Sequence, residues 1–257
     1  MDLGLKSKRV LITGSTQGIG KAIAECMLEE GARVLLNGRN QNKLNSLVCE
    51  LREKYTEEAV LGFKGDITVK EEREKLSQFI SEKWGTIDIL IPCVGRGKPF
   101  SKNNLDEEEW NNLFQINLNS VVQTVNSLKN NVEDGGNIVT ISSIASKEVI
   151  GAPVAYASAK EGIVVFTKYL SKELAVRHIR VNCVMPGNIF FPGGRWEEIQ
   201  QDDYEGTRKY IESVVPMKRF GYPKEVAESV AFLASERSSF TTGSVLVIDG
   251  GQTNAIR

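Results

Sequence analysis

The chain has 257 residues, a formal net charge of -1, 41% hydrophobic and 25% charged residues; this length allows one large domain or two small ones, with a core that needs no disulfide or metal staple. Near-neutral charge excludes a nucleic-acid or anionic-membrane partner held by bulk electrostatics, and the lack of a leader-like or transmembrane-length apolar run predicts neither export nor anchoring. Cys26, Cys49, Cys93 and Cys183 form no C-x-x-C pair and read as small buried hydrophobes in a reducing, cytoplasmic compartment, while His178, the single histidine, leaves no material for histidine metal sites or Ser-His-Asp catalysis.

Val10-Leu11-Ile12-Thr13 is a short apolar run that stops at Gly14, the pattern of a buried parallel strand. Gly14-Ser15-Thr16-Gln17-Gly18-Ile19-Gly20 follows. A helical stripe of Ile19, Ile23, Met27 and Leu28 then runs to Gly31, and residues 32–36 read as a second strand. Strand, glycine turn, helix and strand make one βαβ unit. Phosphates approach a helix N-terminus closely only where no side chain blocks the free N–H groups, so the turn is a candidate dinucleotide site. Its G-x-x-x-G-x-G spacing differs from the commoner G-x-G-x-x-G, and plain loop geometry is the competing reading. Asn37-Gly38-Arg39-Asn40 closes the second strand. An acid here would hold a ribose 2′-hydroxyl; Arg39 is instead placed for a 2′-phosphate, which favours NADP over NAD without excluding NAD. The alternative for Arg39 is a solvated side chain in a turn.

Leu44, Leu47, Val48 and Leu51 mark an amphipathic helix, and residues 59–65 a third strand ending at Asp66. Asp66 either meets an adenine ring or caps the next helix, which Leu76, Phe79 and Ile80 mark. Residues 87–91 form a fourth strand running into Pro92-Cys93-Val94-Gly95, and 96–104 a polar loop. Asp106 is placed to cap a long helix carrying Trp110, Leu113, Phe114, Leu118, Val121, Val122 and Val125. Asn117 falls on its core stripe, either as a satisfied structural amide or as a group that orders water beside a reaction centre. Gly135-Gly136 precedes a fifth strand over 138–141, which ends near Ser143. The helix bearing Tyr156 runs to about residue 176, and Ile179, Val181 and Cys183 alternate as a sixth strand ending at Met185-Pro186-Gly187. Residues 188–218, with Phe190, Phe191, Trp196, Tyr204 and Tyr210, read as a substrate lid with an apolar lining or as rings that pack this segment on the body. A helix over 225–234 and a last strand over 244–248 precede Asp249-Gly250-Gly251. Strands alternating with helices, with no linker or repeat, predict an α/β chain: a single Rossmann-type domain over 1–257, with one doubly wound parallel sheet and helices on both faces.

Tyr156 and Lys160 are four apart, which stacks both side chains on one face of a helix. A nearby ammonium favours the phenolate, so Lys160 is expected to lower the pKa of Tyr156 and fit it for acid–base work near neutral pH. Alone, the pair is an ordinary surface pattern. Ser143, at a strand end, is what gives it a context.

In order and in this strand–helix setting, these motifs resemble the short-chain dehydrogenase/reductase family over nearly the whole chain. Residues 13–20 are similar to its nucleotide turn and Ile141-Ser142-Ser143 to the strand carrying its active serine. The thirteen-residue step from Ser143 to Tyr156, the Tyr156-x-x-x-Lys160 spacing, and Asn117 at the fourth catalytic position also match. Asn182-Cys183-Val184-Met185-Pro186-Gly187 and Asp249-Gly250-Gly251 look like its later signatures. The resemblance implies that Tyr156 exchanges a proton with the substrate oxygen and that Lys160 lowers its pKa and holds the nicotinamide ribose. Ser143 would hydrogen-bond the substrate oxygen, and Asn117 would hold a relay water. It implies cofactor contacts from Gly14, Ser15, Thr16, Gln17, Gly18, Ile19 and Gly20, from Arg39, Asp66, Ile67, Val94 and Gly95, and from Pro186, Gly187 and the Ile189 backbone. Two departures stand out. Pro92-Cys93-Val94-Gly95 replaces the family's Asn-Asn-Ala-Gly, and Phe191 stands where a threonine often contacts the nicotinamide amide.

The activity this implies is NADP(H)-dependent hydride transfer between nicotinamide and a carbonyl or secondary alcohol, with reduction of a 3-oxoacyl thioester foremost. A sugar, polyol or secondary-alcohol dehydrogenase is the alternative, and a non-catalytic NADP-binding regulator a more distant one. An acyl-carrier protein is acidic, so docking it needs a basic patch beside the cleft. Lys129, Arg177 and Arg180 are candidates for that patch, or else solvated surface charges. Family members usually assemble as homotetramers through the helices bearing Asn117 and Tyr156 and the last strand.

Overall fold

The structure is a computed structural model that describes residues 2–97 and 106–254. The apolar runs become seven strands: β1 (Arg9–Thr13), β2 (Arg33–Gly38), β3 (Val60–Lys64), β4 (Ile87–Pro92), β5 (Val132–Ile141), β6 (Arg180–Pro186) and β7 (Val245–Ile248). They form one sheet, parallel throughout, in the order β3-β2-β1-β4-β5-β6-β7. The helices are α1 (Gly18–Glu29), α2 (Gln41–Lys54), α3 (Lys70–Trp84), α4 (Glu107–Phe114), α5 (Ser120–Leu128), α6 (Val154–Glu173), α7 (Arg195–Asp202), α8 (Tyr204–Val214) and α9 (Pro223–Ala234).

Successive strand residues face opposite sides of the sheet, so each strand feeds two cores. Val10 and Ile12 of β1 pack in one core with Ile23 and Met27 of α1, Leu44 of α2 and Val230 of α9. Leu11, between them, packs in the other with Leu76 of α3, Val125 of α5 and Leu170 of α6. This two-sided burial explains why the strands read as unbroken apolar runs. The chain winds outward one way from β1 to β3 and the other way from β4 to β7, and the carboxyl ends of the strands on either side of that reversal flank a crevice.

Four local expectations change. β5 starts at Val132, ahead of the glycine pair rather than after it. Its register with β4 jumps from Ile87↔Val132 to Ile89↔Asn137, with Gly135 at φ +80 in the step, so the strand opens with a bulge that no alternating pattern marks. The long helix does begin at Asp106, whose side chain accepts from the Glu109 N–H, but it is interrupted by a π-helical turn, Gln115–Asn119. Asp66 does not cap α3, whose N-cap is Val69 and has no side-chain cap. The 188–218 segment holds α7 and α8. The expected polar loop lies outside the described residues from 98 onward. Among the described residues, no helix is long and apolar enough to cross a membrane.

Candidate active site

The carboxyl ends of β1 to β6 open into one cleft of about 1220 Å³. At its nucleotide end, Gly14 (φ +65) and Gly18 (φ +57) adopt the left-handed conformation that glycine takes without penalty. A Cβ on Gly20 would stand 2.4 Å from the Gly14 carbonyl oxygen, so the turn closes only because this position has no side chain. Gln17 precedes α1 without capping it, and the first turn of α1 carries no acid. Its N-terminal N–H groups and positive dipole end thus face the cleft, with no side-chain cap and no acid in the first turn, which suits a diphosphate. Ser15 is the exception among the predicted turn residues. Its hydroxyl is fully buried and accepts from Asn37 N at 2.9 Å, fastening the turn to β2 instead of facing the cleft.

Arg39 follows β2 and is largely exposed, with Nη1 3.4 Å from Asp66 Oδ2. Asp66 accepts from Thr68 N at 3.0 Å and Thr68 Oγ1 at 2.7 Å. Burial pulls the Asp66 carboxyl upward, but these bonds and Arg39 leave it below the usual carboxylate range. Ile67 is buried, and its carbonyl is fixed by Arg73 Nη1 at 2.8 Å. Sequence reading missed Lys43, which lines the cleft in the first turn of α2 and reaches Gln17 Oε1 at 3.5 Å. Its signal was the spacing Asn40-x-x-Lys43, in which Asn40 caps α2 through the Lys43 N–H at 3.0 Å.

At the chemical end, β5 delivers Ser142 and Ser143, and α6 presents Tyr156 and Lys160. Ser142 Oγ donates to the Lys160 carbonyl at 2.7 Å, locking α6 to the strand end. Lys160 is buried and its Nζ donates to the Ile141 carbonyl at 3.0 Å. Burial pulls its ammonium down to about 8, partly offset by the thiols of Cys93 and Cys183. The Tyr156 phenol goes the other way from expectation. Burial pushes it up, and only a hydrogen bond with Ser143 pulls it down. The depression expected from Lys160 is absent because its Nζ lies 5.8 Å from the ring centroid and is turned to Ile141. A phenol held in this way stays protonated at neutral pH, as a proton donor must.

Asn117 lies behind the cleft wall, fully buried in the π-helical turn. Its Oδ1 accepts from Arg96 N at 2.8 Å, and its Nδ2 donates to the carbonyls of Arg96 at 3.1 Å and Leu113 at 3.0 Å. It is thus a satisfied amide that pins the chain beyond β4, placed where π turns often mark function. Gly95 stands beside it: a Cβ there would be 3.2 Å from both Asn117 Oδ1 and Lys160 Nζ. At the Pro92-Cys93-Val94-Gly95 departure, Cys93 N donates to Thr13 Oγ1 at 3.2 Å, so a β1 side chain joins the two strand ends. Val94 packs against Gly14, where a Cβ would meet its Cγ2 at 2.9 Å. Gly187, after Pro186, donates to the Ile248 carbonyl at 2.9 Å, and the buried Ile189 bridges to Gly221.

The far wall comes from α7 and α8, where Trp196 stacks on Tyr210 at 5.6 Å and meets Phe220 at 5.2 Å. The proposed basic patch is not at this cleft. Arg180 is held among the carbonyls of Leu233, Ser235 and Thr241, Arg177 pairs with Asp134, and Lys129 pairs with Glu173. Arg180 opens β6, and Arg177 binds the Val132 carbonyl where β5 begins, so both lie at the strands' amino ends. Among the described residues, no cluster of His, Cys, Asp and Glu could hold a metal.

A glycine-lined crevice that also holds a serine–tyrosine–lysine set, on a doubly wound sheet, defines an NAD(P)-dependent oxidoreductase. A family model described as enoyl-(acyl carrier protein) reductase matches residues 14–253. The 3-oxoacyl-[acyl-carrier-protein] reductase FabG of Thermotoga maritima is 36% identical over 96% of this chain and 98% of its own. The 2,3-dihydro-2,3-dihydroxybenzoate dehydrogenase of Bacillus subtilis is 31% identical over 97% of each. The crystal structure of L-sorbose reductase from Gluconobacter frateurii, complexed with NADPH and L-sorbose, superposes with a TM-score of 0.91 at 30% identity over 100% of both chains. The chain belongs to the short-chain dehydrogenase/reductase family of oxidoreductases.

Proposed function

We propose that the protein uses NADPH to reduce a carbonyl to a secondary alcohol, with Tyr156 as the proton donor. One observation carries this reading: Ser143, Tyr156 and Lys160 line the same cleft as an uncapped helix N-terminus. The nicotinamide, when bound, supplies the hydride. Ser143 steadies the carbonyl oxygen as charge develops there. Lys160, buried beside Tyr156, holds a ribose hydroxyl of the bound cofactor. Gly95 puts no side chain between Asn117 Oδ1 and Lys160 Nζ, which supports a water anchored on Asn117 that passes protons to and from Lys160. Arg39 and Lys43, the cations at the nucleotide end, hold the 2′-phosphate, with the diphosphate on the Gly14 to Gly20 turn, the adenine beside Asp66, and the carboxamide at the Ile189 backbone.

Residues 188–218 act as the substrate lid. The 3-oxoacyl thioesters are the first substrates to test, as the FabG relatives suggest. A polyhydroxy ketone is the second reading. Six carboxylates against three cations between residues 195 and 214 repel an acidic carrier protein, and L-sorbose reductase shares the fold closely. NADPH oxidation over a panel of acyl-thioester mimics and ketoses decides between them; no turnover on any carbonyl would refute both.

The protein assembles as a homotetramer in a reducing cytoplasm. Val165 and Tyr169 stand exposed on α6, and Val245 and Val247 on the edge strand β7, surfaces that an isolated chain would leave in water. The four free thiols fit that compartment. Light scattering in solution tests the assembly, and a monomer would refute it.

A further inference from the structure

The ring of Phe191 is gripped between two glycine backbones from different parts of the site. A Cβ on Gly18, the first residue of α1, would stand 2.7 Å from Phe191 Cε2 and 2.8 Å from Cζ. One on Gly194, just ahead of α7, would stand 2.9 Å from the same Cζ. The Phe191 carbonyl also accepts from Gly194 N at 3.0 Å. Two residues further on, Trp196 begins the aromatic wall of α7 and α8. The base of this segment is narrow. Phe190 N donates to the Gly221 carbonyl and Gly221 N to the Asn188 carbonyl, each at 2.9 Å. Beyond that neck, the ring is where the start of the segment touches the dinucleotide turn. Phenylalanine has no hydroxyl, so whatever this side chain does here it does by packing.

We propose that Phe191 is a positioning residue that couples the dinucleotide turn to the substrate lid. An NADP(H) phosphate on the α1 N-terminus holds Gly18 still; a still Gly18 holds the ring; the ring holds Gly194 and sets the angle at which α7 leaves the neck. The inference rests on the NADP(H) site proposed above. Coupling of this kind is reciprocal in binding free energy. Cofactor therefore orders the lid before substrate arrives, and substrate under the lid tightens the cofactor by about tenfold, within the usual range for coupled sites.

Amide hydrogen exchange on the whole protein, with and without NADPH and with no substrate, reads this directly. In the wild type, NADPH slows exchange across 195–214. Phe191→Ala binds NADPH within a few-fold of wild type by fluorescence titration but loses that protection, and Phe191→Tyr, which keeps the ring, retains it. If the alanine variant does not fold, Phe191→Leu takes its place, with reduced protection expected. NADPH that binds without slowing lid exchange in the wild type, or protection that survives in Phe191→Ala, overturns the coupling alone. Failure of NADPH to bind the wild type at all overturns the dinucleotide site and the coupling together.

Discussion

The two ends of the cleft are built from different material. The nucleotide end, from Gly14 to Gly20, is made of backbone: three glycines, an uncapped helix terminus and one buried hydroxyl, Ser15, holding the turn to β2. The opposite end, at α7 and α8, where we propose that substrate binds, is made of side chains: Trp196, Tyr210 and Phe220 in contact over a narrow neck. A backbone site recognises what all dinucleotides share and tolerates no added atom. A side-chain wall can be changed ring by ring, and there substrate choice can vary while the chemistry stays fixed.

Substitutions at the two ends should therefore differ in kind. The largest effect is expected at the turn. Gly20→Ala drives a Cβ to 2.4 Å from the Gly14 carbonyl oxygen. The backbone must then shift, at a cost of about 3 kcal/mol, read as a lower melting temperature and loss of NADPH binding in titration. Between the two ends, Lys160 sets stability against activity. Its folded pKa of about 8 lies below the ordinary 10.5, so burying the charge costs stability at neutral pH. The unfolded chain holds more protons between those values, so wild-type stability should rise with pH across that window. Lys160→Met should abolish turnover and yet gain up to about 3 kcal/mol at pH 7, the gain vanishing near pH 10.5. Denaturant melts of both proteins at pH 7 and pH 10 check it. Next, Arg39→Ala should weaken NADPH by about 10- to 100-fold through loss of a charge-assisted hydrogen bond, with NADH little changed; equal losses would remove Arg39 from the 2′-phosphate. The smallest effect belongs to the wall. Trp196→Ala should raise KM for the carbonyl by roughly tenfold, as loss of an apolar contact surface does, and leave NADPH affinity as it was.

The same contrast explains what could be read from the sequence. Backbone requirements leave residue signatures, so Gly14, Gly18 and Gly20 marked the turn, and the four-residue step marked Tyr156 and Lys160. The apolar runs of β1 and β4, buried on both faces, were equally plain. Properties that arise only on folding were hidden. Ser15 looked like a ligand contact until burial placed it against Asn37. Tyr156 was expected to be acidic, because burial and the turn of Lys160 toward Ile141 leave no mark in a spacing. Lys129, Arg177 and Arg180 were grouped as charges, yet the sheet places Arg177 and Arg180 at the strands' amino ends, away from the cleft. Lys43 joined the nucleotide end only because Asn40 starts α2 beside Gln17.

Proton donation by Tyr156 is tested most directly by comparing wild type with Tyr156→Phe on whichever carbonyl the panel identifies, with NADPH affinity measured on the same preparations. Loss of the donor should lower kcat by about 100- to 10,000-fold, the span of general acid catalysis, while NADPH affinity moves by no more than a few-fold. A phenylalanine variant that reduced the carbonyl at the wild-type rate would contradict the assignment.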